Sequence, residues 1–331
     1  MLNSTVNMRI LLLLINIFAI HVFARLVISS GSSLERHGER GNHGKITTWP
    51  VNQDKNSVVY YCFANKESSE KLSRGVRNGW KTWYAKIGQP GVENGHTLKA
   101  IDSSEGKDNG YCWTDEKSKQ WNSKVFGNET LVIKVYGDDA IGGESSVGFT
   151  PAEVDSSAGR HSMTMGAEAS DWDFAHEWGH VFGLLHEHQR PDRDDYVNFT
   201  CENMYGYEES WKRAEKGKIS KEDFCSKAVS SRPFGFQSDQ FAKGAEFSLE
   251  IDGVHSKAYD WDSIMHYTSD IFGDPAKMED HPKDASYFPL SRLDKAGDVA
   301  RRIIPAAKSY PDLKVSDGDK EAIQAMYGWG G

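Results

Sequence analysis

The stretch from His176 to His186 reads HEWGHVFGLLH and contains the pattern HExxHxxGxxH. On a helix, His176 and His180 lie one turn apart on the same face, so both imidazoles can reach one metal ion. Glu177 lies one step round that helix, where its carboxylate can contact a water on the metal rather than the metal itself. The alternative is an amphipathic core helix with two hydrogen-bonded histidines.

The residues that follow favour the metal site. Gly183 can adopt a positive backbone angle, which lets the helix end and the chain turn sharply. This turn brings His186 back as a third ligand. Three neutral imidazoles leave the fourth position of a zinc ion open, which is the arrangement of a catalytic site. We therefore predict one Zn²⁺ ion bound by His176, His180 and His186.

Two further motifs indicate a family. Residues 186–197 read HEHQRPDRDDYV, and residues 263–267 read SIMHY. The first resembles the astacin family of metzincin zinc peptidases, in which a glutamate and a charged R-P-D-R-D-x-Y-V run follow the third histidine. The second resembles the methionine turn and switch tyrosine of the same family. The resemblance extends, with insertions, from about Trp49 to the C-terminus.

The resemblance implies an α+β fold. It is a metzincin-like, two-lobed zinc peptidase domain, with a mixed sheet and two long helices in the upper lobe and an irregular lower lobe with a C-terminal helix. The catalytic domain would occupy residues 47–331, with an upper lobe at about 47–183 and a lower lobe at about 184–331. The activity implied is that of an endopeptidase acting on extracellular proteins.

The expected chemistry is hydrolysis of peptide bonds. Zinc lowers the pKa of a bound water to about 7, so hydroxide is available near neutral pH. Glu177 would act as the general base and then deliver the proton to the leaving amine. A catalytically inactive binding protein on the same fold is the alternative, but a binding protein has no need of Glu177. Another metzincin branch is less consistent with Glu187 and SIMHY.

Three more residues near the site receive roles from the resemblance. Tyr267 would ligate the resting zinc or donate its hydroxyl to the oxyanion; the alternative is a packed aromatic beside the turn. Met265 would form an apolar floor under the histidines. Glu187 would pair through water with the amino terminus of the matured enzyme, or with Arg190 or Arg193 in the adjacent charged run.

Hydrophobic periodicity predicts the main elements. An amphipathic pattern indicates a helix over Glu67–Ile87, and charged residues 200–227 are predicted to be helical. Capping signatures at Ser170 and Ser316 predict the starts of the zinc helix and of the last helix. Residues 234–259 are expected to be irregular, and residues 273–310 are expected to form a looped insertion. Strands are predicted at Ser57–Phe63, Thr130–Tyr136 and Ser162–Met165.

A further short strand is predicted over Ser145, Ser146, Val147, Gly148 and Phe149. It follows two glycines and precedes the zinc helix. Metzincins place an edge strand there, and an exposed edge can align an extended peptide through main-chain hydrogen bonds. We therefore predict that substrate binds along this segment; an ordinary inner strand is the alternative.

The N-terminus carries the features of a targeting segment. Arg9 precedes an apolar run that is short for a membrane span, and compact residues precede Ala24. We predict a signal peptide over residues 1–24, with a membrane anchor as the alternative, and a pro-segment or disordered leader over residues 25–46. Astacins are usually kept latent by a propeptide aspartate, yet no Asp lies between Arg25 and Val51, so this latency mechanism is in doubt.

Four cysteines in a predicted secreted chain favour two disulfides, with three possible connectivities. We favour Cys62 with Cys112 and Cys201 with Cys225, one in each lobe. The family's bridge to a cysteine after the last helix cannot form, because Trp329 and glycines stand there. Asn128 and Asn198 begin N-x-T sequons and are predicted glycosylation sites.

Composition limits the partners. The chain has 331 residues and a net charge of −9, which argues against nucleic acid as the main ligand. Hydrophobic residues make up 38%, which is ordinary for a soluble domain. We expect a secreted monomer that binds protein or peptide substrates and has no membrane span once the signal is removed.

Overall fold

The computed structural model describes residues 47–107, 110–115, 117–243, 258–294, 301–305 and 313–329. The predicted signal peptide and leader, residues 1–46, lie outside these ranges. No helix in the described ranges is both long and apolar enough to span a membrane.

A five-stranded mixed sheet forms the first half of the fold. Its order is β2-β1-β5-β7-β6, with β6 antiparallel to β7 and the other neighbours parallel. The predictions for β1, β5 and β7 agree with the observed strands to within a residue, whereas the sequence does not predict β2. A separate hairpin joins β3 and β4. The strands are β1 Ser57–Phe63, β2 Leu98–Asp102, β3 Trp113–Asp115, β4 Gln120–Trp121, β5 Leu131–Tyr136, β6 Gly143–Ser145 and β7 Ser162–Gly166.

Two helices pack on this sheet. Helix α1, Lys66–Ile87, begins at Asn65, whose side chain accepts a hydrogen bond from the amide of Ser68 at 2.9 Å. Helix α2, Asp171–Val181, carries the zinc motif. The two helices approach closely at Gly79, where a Cβ would lie 2.8 Å from the carbonyl carbon of Phe174. A core of aliphatic side chains and tryptophans fills the space between helices and sheet.

A second core lies among residues 197–304. The prediction of helix over 200–227 is confirmed as two short helices. Strands β8, β9 and β10 form an antiparallel sheet that includes part of the predicted looped insertion. The elements are β8 Val197–Phe199, α3 Tyr207–Lys216, α4 Lys221–Ser226, α5 Ala228–Ser231, α6 Pro275–Asp280, β9 Leu290–Leu293 and β10 Arg301–Arg302. Short 3₁₀ turns occur at Glu187–Gln189, Arg193–Asp195, Cys201–Asn203, Arg232–Phe234, Ser238–Phe241 and Ala285–Tyr287.

The last helix, α7 at Asp317–Met326, begins at the predicted cap residue Ser316. Its apolar face packs in the first core. Ile323 is fully buried in the first core, and the Tyr327 hydroxyl donates to the carbonyl of Phe182 at 2.7 Å. The helix packs against α1, so the first core includes residues from both sides of residue 183. The division of the chain into an upper and a lower lobe stays a prediction.

The disulfides are those favoured from the sequence, Cys62–Cys112 and Cys201–Cys225. The first lies in a small cluster beside the five-stranded sheet, and the second joins the second core. Asn128 is exposed, whereas Asn198 is partly buried within β8, where its amide donates to Thr200 Oγ1 at 2.9 Å. Glycosylation of either residue stays a prediction.

Candidate metal centre and active site

The N-terminus of α2 is fixed by the predicted capping box. The amide of Asp173 donates to Ser170 Oγ at 3.3 Å, and the amide of Ser170 donates to Asp173 Oδ2 at 2.7 Å. Because α2 has only 11 residues, this cap and the packing against α1 determine its direction. His176 and His180 lie buried one turn apart on it, as the sequence predicts.

The C-terminus of α2 turns at Gly183, which has the predicted positive φ of 103°. The amide of Leu184 donates to the carbonyl of Gly179 at 2.9 Å, which closes the helix end. The amide of Glu187 then donates to the carbonyl of Met265 at 3.1 Å. These bonds bring the side chain of His186 back to face the helix.

The structure brings the three predicted ligands together. His186 Nε2 lies 3.0 Å from His176 Nε2 and 3.0 Å from His180 Nε2. These three side chains are the one group of potential metal ligands found within the described residues. Zinc–nitrogen bonds of about 2.0–2.1 Å in a tetrahedral site place the nitrogens about 3.3 Å apart, close to the separations here.

The hydrogen bonds of the three Nδ1 atoms indicate that the three Nε2 atoms face a cation and do not hydrogen-bond to one another. His176 Nδ1 donates to the carbonyl of Ile264 at 2.8 Å, and His180 Nδ1 donates to the carbonyl of Leu184 at 2.8 Å. His186 Nδ1 donates to Gln189 Oε1 at 2.9 Å. With each Nδ1 protonated, all three Nε2 atoms of neutral rings present lone pairs to one another. Three converging lone pairs repel, and a metal ion among them removes that repulsion.

Protonation of the histidines does not remove this repulsion at neutral pH. Burial lowers the pKa of His176 to about 3 and that of His180 to about 4, and it lowers the pKa of His186 well below its usual range. The neighbouring imidazoles lower the pKa of His176 and His186 further. The site therefore holds neutral imidazoles at neutral pH, which is the protonation state that binds zinc.

The first ligand is connected to the last helix through the predicted methionine turn. The carboxylate of Asp319, in the first turn of α7, accepts hydrogen bonds from Ser263 Oγ at 2.6 Å and from the amide of Ile264 at 2.9 Å. Ile264 presents its carbonyl to His176 on the other side. Met265 lies in the same turn with its sulfur against α2, where a Cβ at Gly179 would lie 2.3 Å from it.

Glu177 is buried, and its Oε2 accepts a hydrogen bond from Ser145 Oγ at 2.5 Å. Burial raises the pKa of this carboxyl to about 8; the hydrogen bond from Ser145 lowers it, and nearby Asp173 and Glu144 raise it. A cation bound by the neighbouring histidines would lower it again. Its assignment as general base stays a prediction.

Tyr267 lies beside the third ligand, with its ring centroid 4.3 Å from that of His186. Its hydroxyl donates to Gln240 Oε1 at 3.3 Å, and burial raises its pKa. The neighbouring His266 uses both ring nitrogens, since Nδ1 donates to the carbonyl of Tyr267 at 2.7 Å and Nε2 accepts from Tyr259 at 2.8 Å. His266 is therefore a structural neighbour, and the switch role of Tyr267 stays a prediction.

Glu187 pairs with Arg190. Its Oε1 accepts from Arg190 Nη1 at 3.1 Å and from the amide of Asp260 at 2.8 Å. Burial raises the pKa of this carboxyl to about 7. The other interpretation, a bond through water to a matured amino terminus, stays a prediction. Arg190 also forms two hydrogen bonds with the carboxylate of Asp192, at 2.9 and 2.8 Å, within the charged run.

The observed edge strand has different bounds from the predicted one. Strand β6 spans Gly143–Ser145 at the edge of the sheet, so Ser145 is the one residue of the predicted segment within it. The amide of Ser146 donates to Ser162 and that of Gly148 to His180, both at 2.9 Å. Phe149 forms an isolated bridge with Thr47. The strand ends early because Gly148, at φ 62°, turns the chain toward α2.

Three features of the site were not predicted from the sequence. They are the Gln189 bond to His186, the Gln240 bond to Tyr267 and the Ser145 bond to Glu177. The spacing of Gln189, three residues after His186, could have indicated the first. The other two join segments that are distant in the chain, so no local pattern indicates them.

Comparison with known proteins agrees with the site. Residues 128–228 match the family model of the astacin peptidases. Tolloid-like protein 2 of Mus musculus is 34% identical over 99 residues, which covers 30% of this chain and 6% of that protein. Zinc metalloproteinase nas-5 of Caenorhabditis elegans is 28% identical over 123 residues, which covers 34% of this chain and 25% of that protein. The match thus spans a quarter or less of these relatives.

Among solved structures, high choriolytic enzyme 1 from the medaka fish Oryzias latipes, a hatching enzyme zinc-protease, is 15% identical. Its superposition has a TM-score of 0.45 and covers 85% of this chain and 94% of that one.

Proposed function

We propose that this chain is a secreted zinc-dependent endopeptidase of the astacin family. The observation that carries the proposal is the convergence of three imidazole lone pairs next to the buried carboxylate of Glu177. The two disulfides support an oxidising, extracellular compartment.

The metal site would be formed by His176, His180 and His186. When bound, zinc supplies a Lewis acid that polarises the substrate carbonyl and makes a water more acidic. Glu177 takes the proton of the attacking water and delivers it to the leaving amine. Ser145 donates to one carboxylate oxygen of Glu177, which leaves the other free for that proton. Glu177 would thus be held in one orientation before substrate arrives.

Tyr267 would stabilise the oxyanion of the substrate. Its hydroxyl makes a long hydrogen bond to Gln240 at 3.3 Å, and such a bond is easily exchanged for a stronger one to a negatively charged oxygen. Because burial raises its pKa, the hydroxyl keeps its proton and remains a donor.

Substrate would be aligned by the outer side of β6 and the residues after it. The amides of Ser146 and Gly148 already donate within the protein, so among residues 146–148 the amide available for a peptide is that of Val147. Alternation along an extended chain points it away from β7. We therefore expect Val147→Pro to lower kcat/KM on a long peptide, whereas proline at Ser146 or Gly148 removes a structural bond. Unchanged efficiency of a folded, zinc-loaded Val147→Pro variant would contradict this docking edge.

The test of the function is cleavage of a long unstructured peptide by the purified protein. A chelator should abolish cleavage and one equivalent of zinc should restore it. His186→Ala should lose zinc and activity together; full retention of both would contradict the ligand assignment. A wild-type protein that binds zinc stoichiometrically and cleaves no member of a broad peptide library would support the inactive binding protein instead.

A further inference from the structure

The three histidines of the metal centre are oriented in two different ways. His176 and His180 donate Nδ1–H to the main-chain carbonyls of Ile264 and Leu184. A carbonyl only accepts, so the main chain alone fixes the tautomer of these two rings. His186 donates instead to a side chain, Gln189 Oε1. The tautomer of the third ring therefore depends on a residue that can be substituted.

The orientation of the Gln189 amide is itself determined. Its Nε2 donates to the carbonyl of Asp239 at 3.2 Å. Because that carbonyl cannot donate, the amide nitrogen must face Asp239 and the oxygen must face His186. His186 must then carry its proton on Nδ1 and present the Nε2 lone pair to the other two rings. A reversed amide would place an N–H against Nδ1 and move the proton to Nε2, where it would block metal binding.

The Asp239 carbonyl lies in a well-anchored turn. This turn, Ser238–Phe241, is held from two sides. Arg232 binds the Asp239 carboxylate through Nη2 at 2.6 Å and Nε at 3.1 Å. Arg193 Nη1 donates to the carbonyl of Phe241 at 2.6 Å. The acceptor for Gln189 is thus fixed in place by two guanidinium groups.

Water cannot easily take the place of the Gln189 side chain, because both Gln189 and His186 are buried. The exposed fraction of Gln189 is 8%, and that of His186 is 6%, so water has little access to Nδ1. Outer hydrogen-bond partners of metal-binding histidines typically contribute 10–100-fold to metal affinity. We propose that Gln189 is a positioning residue which, held by the turn Ser238–Phe241, fixes the tautomer of His186 and sets the zinc affinity of the site. This inference rests on the proposed function only in requiring that the three histidines bind zinc.

The test compares Gln189→Leu with Gln189→Glu. The leucine removes the acceptor for His186 and keeps a similar volume, whereas the glutamate keeps an acceptor at that position. Gln324→Leu is the matched control, because Gln324 also donates from a partly buried amide to a main-chain carbonyl, that of Asn94 at 2.8 Å, but in the last helix. Zinc affinity of the full-length protein is measured by chelator competition, and the Co²⁺-substituted forms are compared by absorption spectroscopy.

We expect Gln189→Leu to weaken zinc binding about 10–100-fold and to alter the Co²⁺ spectrum. Gln189→Glu should remain within about tenfold of wild type and bind more tightly than the leucine variant, and Gln324→Leu should match wild type. A folded Gln189→Leu variant with wild-type affinity would overturn the proposal, as would a glutamate variant as weak as the leucine variant. Zinc binding without peptidase activity would contradict the proposed function alone, whereas a wild type that binds no zinc would contradict both.

Discussion

The two sides of the metal centre are built differently. On the helix side, His176 and His180 follow from the geometry of α2 and are oriented by main-chain carbonyls. On the opposite side, His186 and Tyr267 are held by the side chains of Gln189 and Gln240. In the first arrangement the acceptors are main-chain carbonyls, which no side-chain substitution removes. In the second the partners are two glutamine side chains, so a substitution at the partner removes the contact directly.

The hydrophobic cores that support these two sides also differ in how they are built. The first core places helices against a mainly parallel sheet, with Leu72, Ile133 and Trp178 among its buried residues. The second core stacks aromatic rings between short helices and a three-stranded sheet, as where the Phe224 and Phe236 centroids lie 4.7 Å apart. Long periodic elements organise the first region, whereas short helices and turns organise the second.

The largest effect should come from the proposed general base on the helix side. Glu177→Gln should lower kcat about 10²–10⁴-fold, because it removes the proton acceptor. Zinc content should be unchanged, since Glu177 is not a ligand. Steady-state kinetics and metal analysis measure the two quantities. Glu168→Gln, an exposed residue near the start of α2, is the control, and loss of zinc from the Glu177 variant would show that this carboxylate coordinates the metal.

Removing either disulfide should destabilise mainly the region that contains it. Cys62–Cys112 closes a loop with a sequence separation of 50, and Cys201–Cys225 closes one of 24. Loop entropy predicts that replacing each pair with serine lowers the free energy of unfolding by about 4 and about 3.5 kcal/mol respectively. Urea unfolding measures the loss, and hydrogen exchange should place faster exchange in the region that lost its bridge. Equal acceleration of exchange in both regions would mean that they unfold as one unit.

A pH effect on stability is expected from one buried histidine of the first region. His161 is fully buried beside the sheet, where burial first and nearby Arg160 next lower its pKa to about 4. The unfolded chain, with a histidine pKa of about 6.5, binds the proton more readily. This contribution to stability is therefore complete above about pH 6.5 and is lost as the pH falls toward 4.

Between pH 7 and pH 5 the loss from His161 should be about 2 kcal/mol. The measurement is urea unfolding of wild type and of His161→Gln at both pH values, with chelator present throughout. The difference between the two proteins cancels the titration of the metal-binding histidines. An identical pH dependence of the two proteins would exclude His161 as the cause.

The smallest effect should come from removing the hydrogen bond that orients Glu177. Ser145→Ala removes the hydrogen bond to Oε2, and a net loss of about 1 kcal/mol corresponds to about fivefold in kcat. KM should change little, because the hydroxyl faces the carboxylate rather than substrate. Ser146→Ala is the neighbouring control, since Ser146 Oγ bonds Ser162 and not Glu177. If kcat falls no further than in the Ser146→Ala control, Ser145 does not orient Glu177.

The helix side could be predicted from the sequence because its determinants are local. The i, i+4 histidines, Gly183 and the capping residues lie within one short stretch. Strand β2 was missed, because Leu98–Asp102 is short and places a charged residue beside its first apolar one. Strand β9 was missed since it lies among residues rich in Pro, Asp and Lys. The return of α7 to the first core, like the Gln189 contact with Asp239, depends on long-range packing that periodicity does not encode.

The bond between Asp319 and the methionine turn has a consequence for biosynthesis. The carbonyl that orients His176 belongs to Ile264, whose amide is held by the carboxylate of Asp319 in the last helix. A ribosome therefore synthesises all three proposed zinc ligands well before it adds the residue that holds the first of them in place. If these histidines bind zinc, loading with native affinity would require that α7 has emerged and docked, and a chain that stops short of Asp319 would contain the complete HExxHxxGxxH motif without the support for its first histidine.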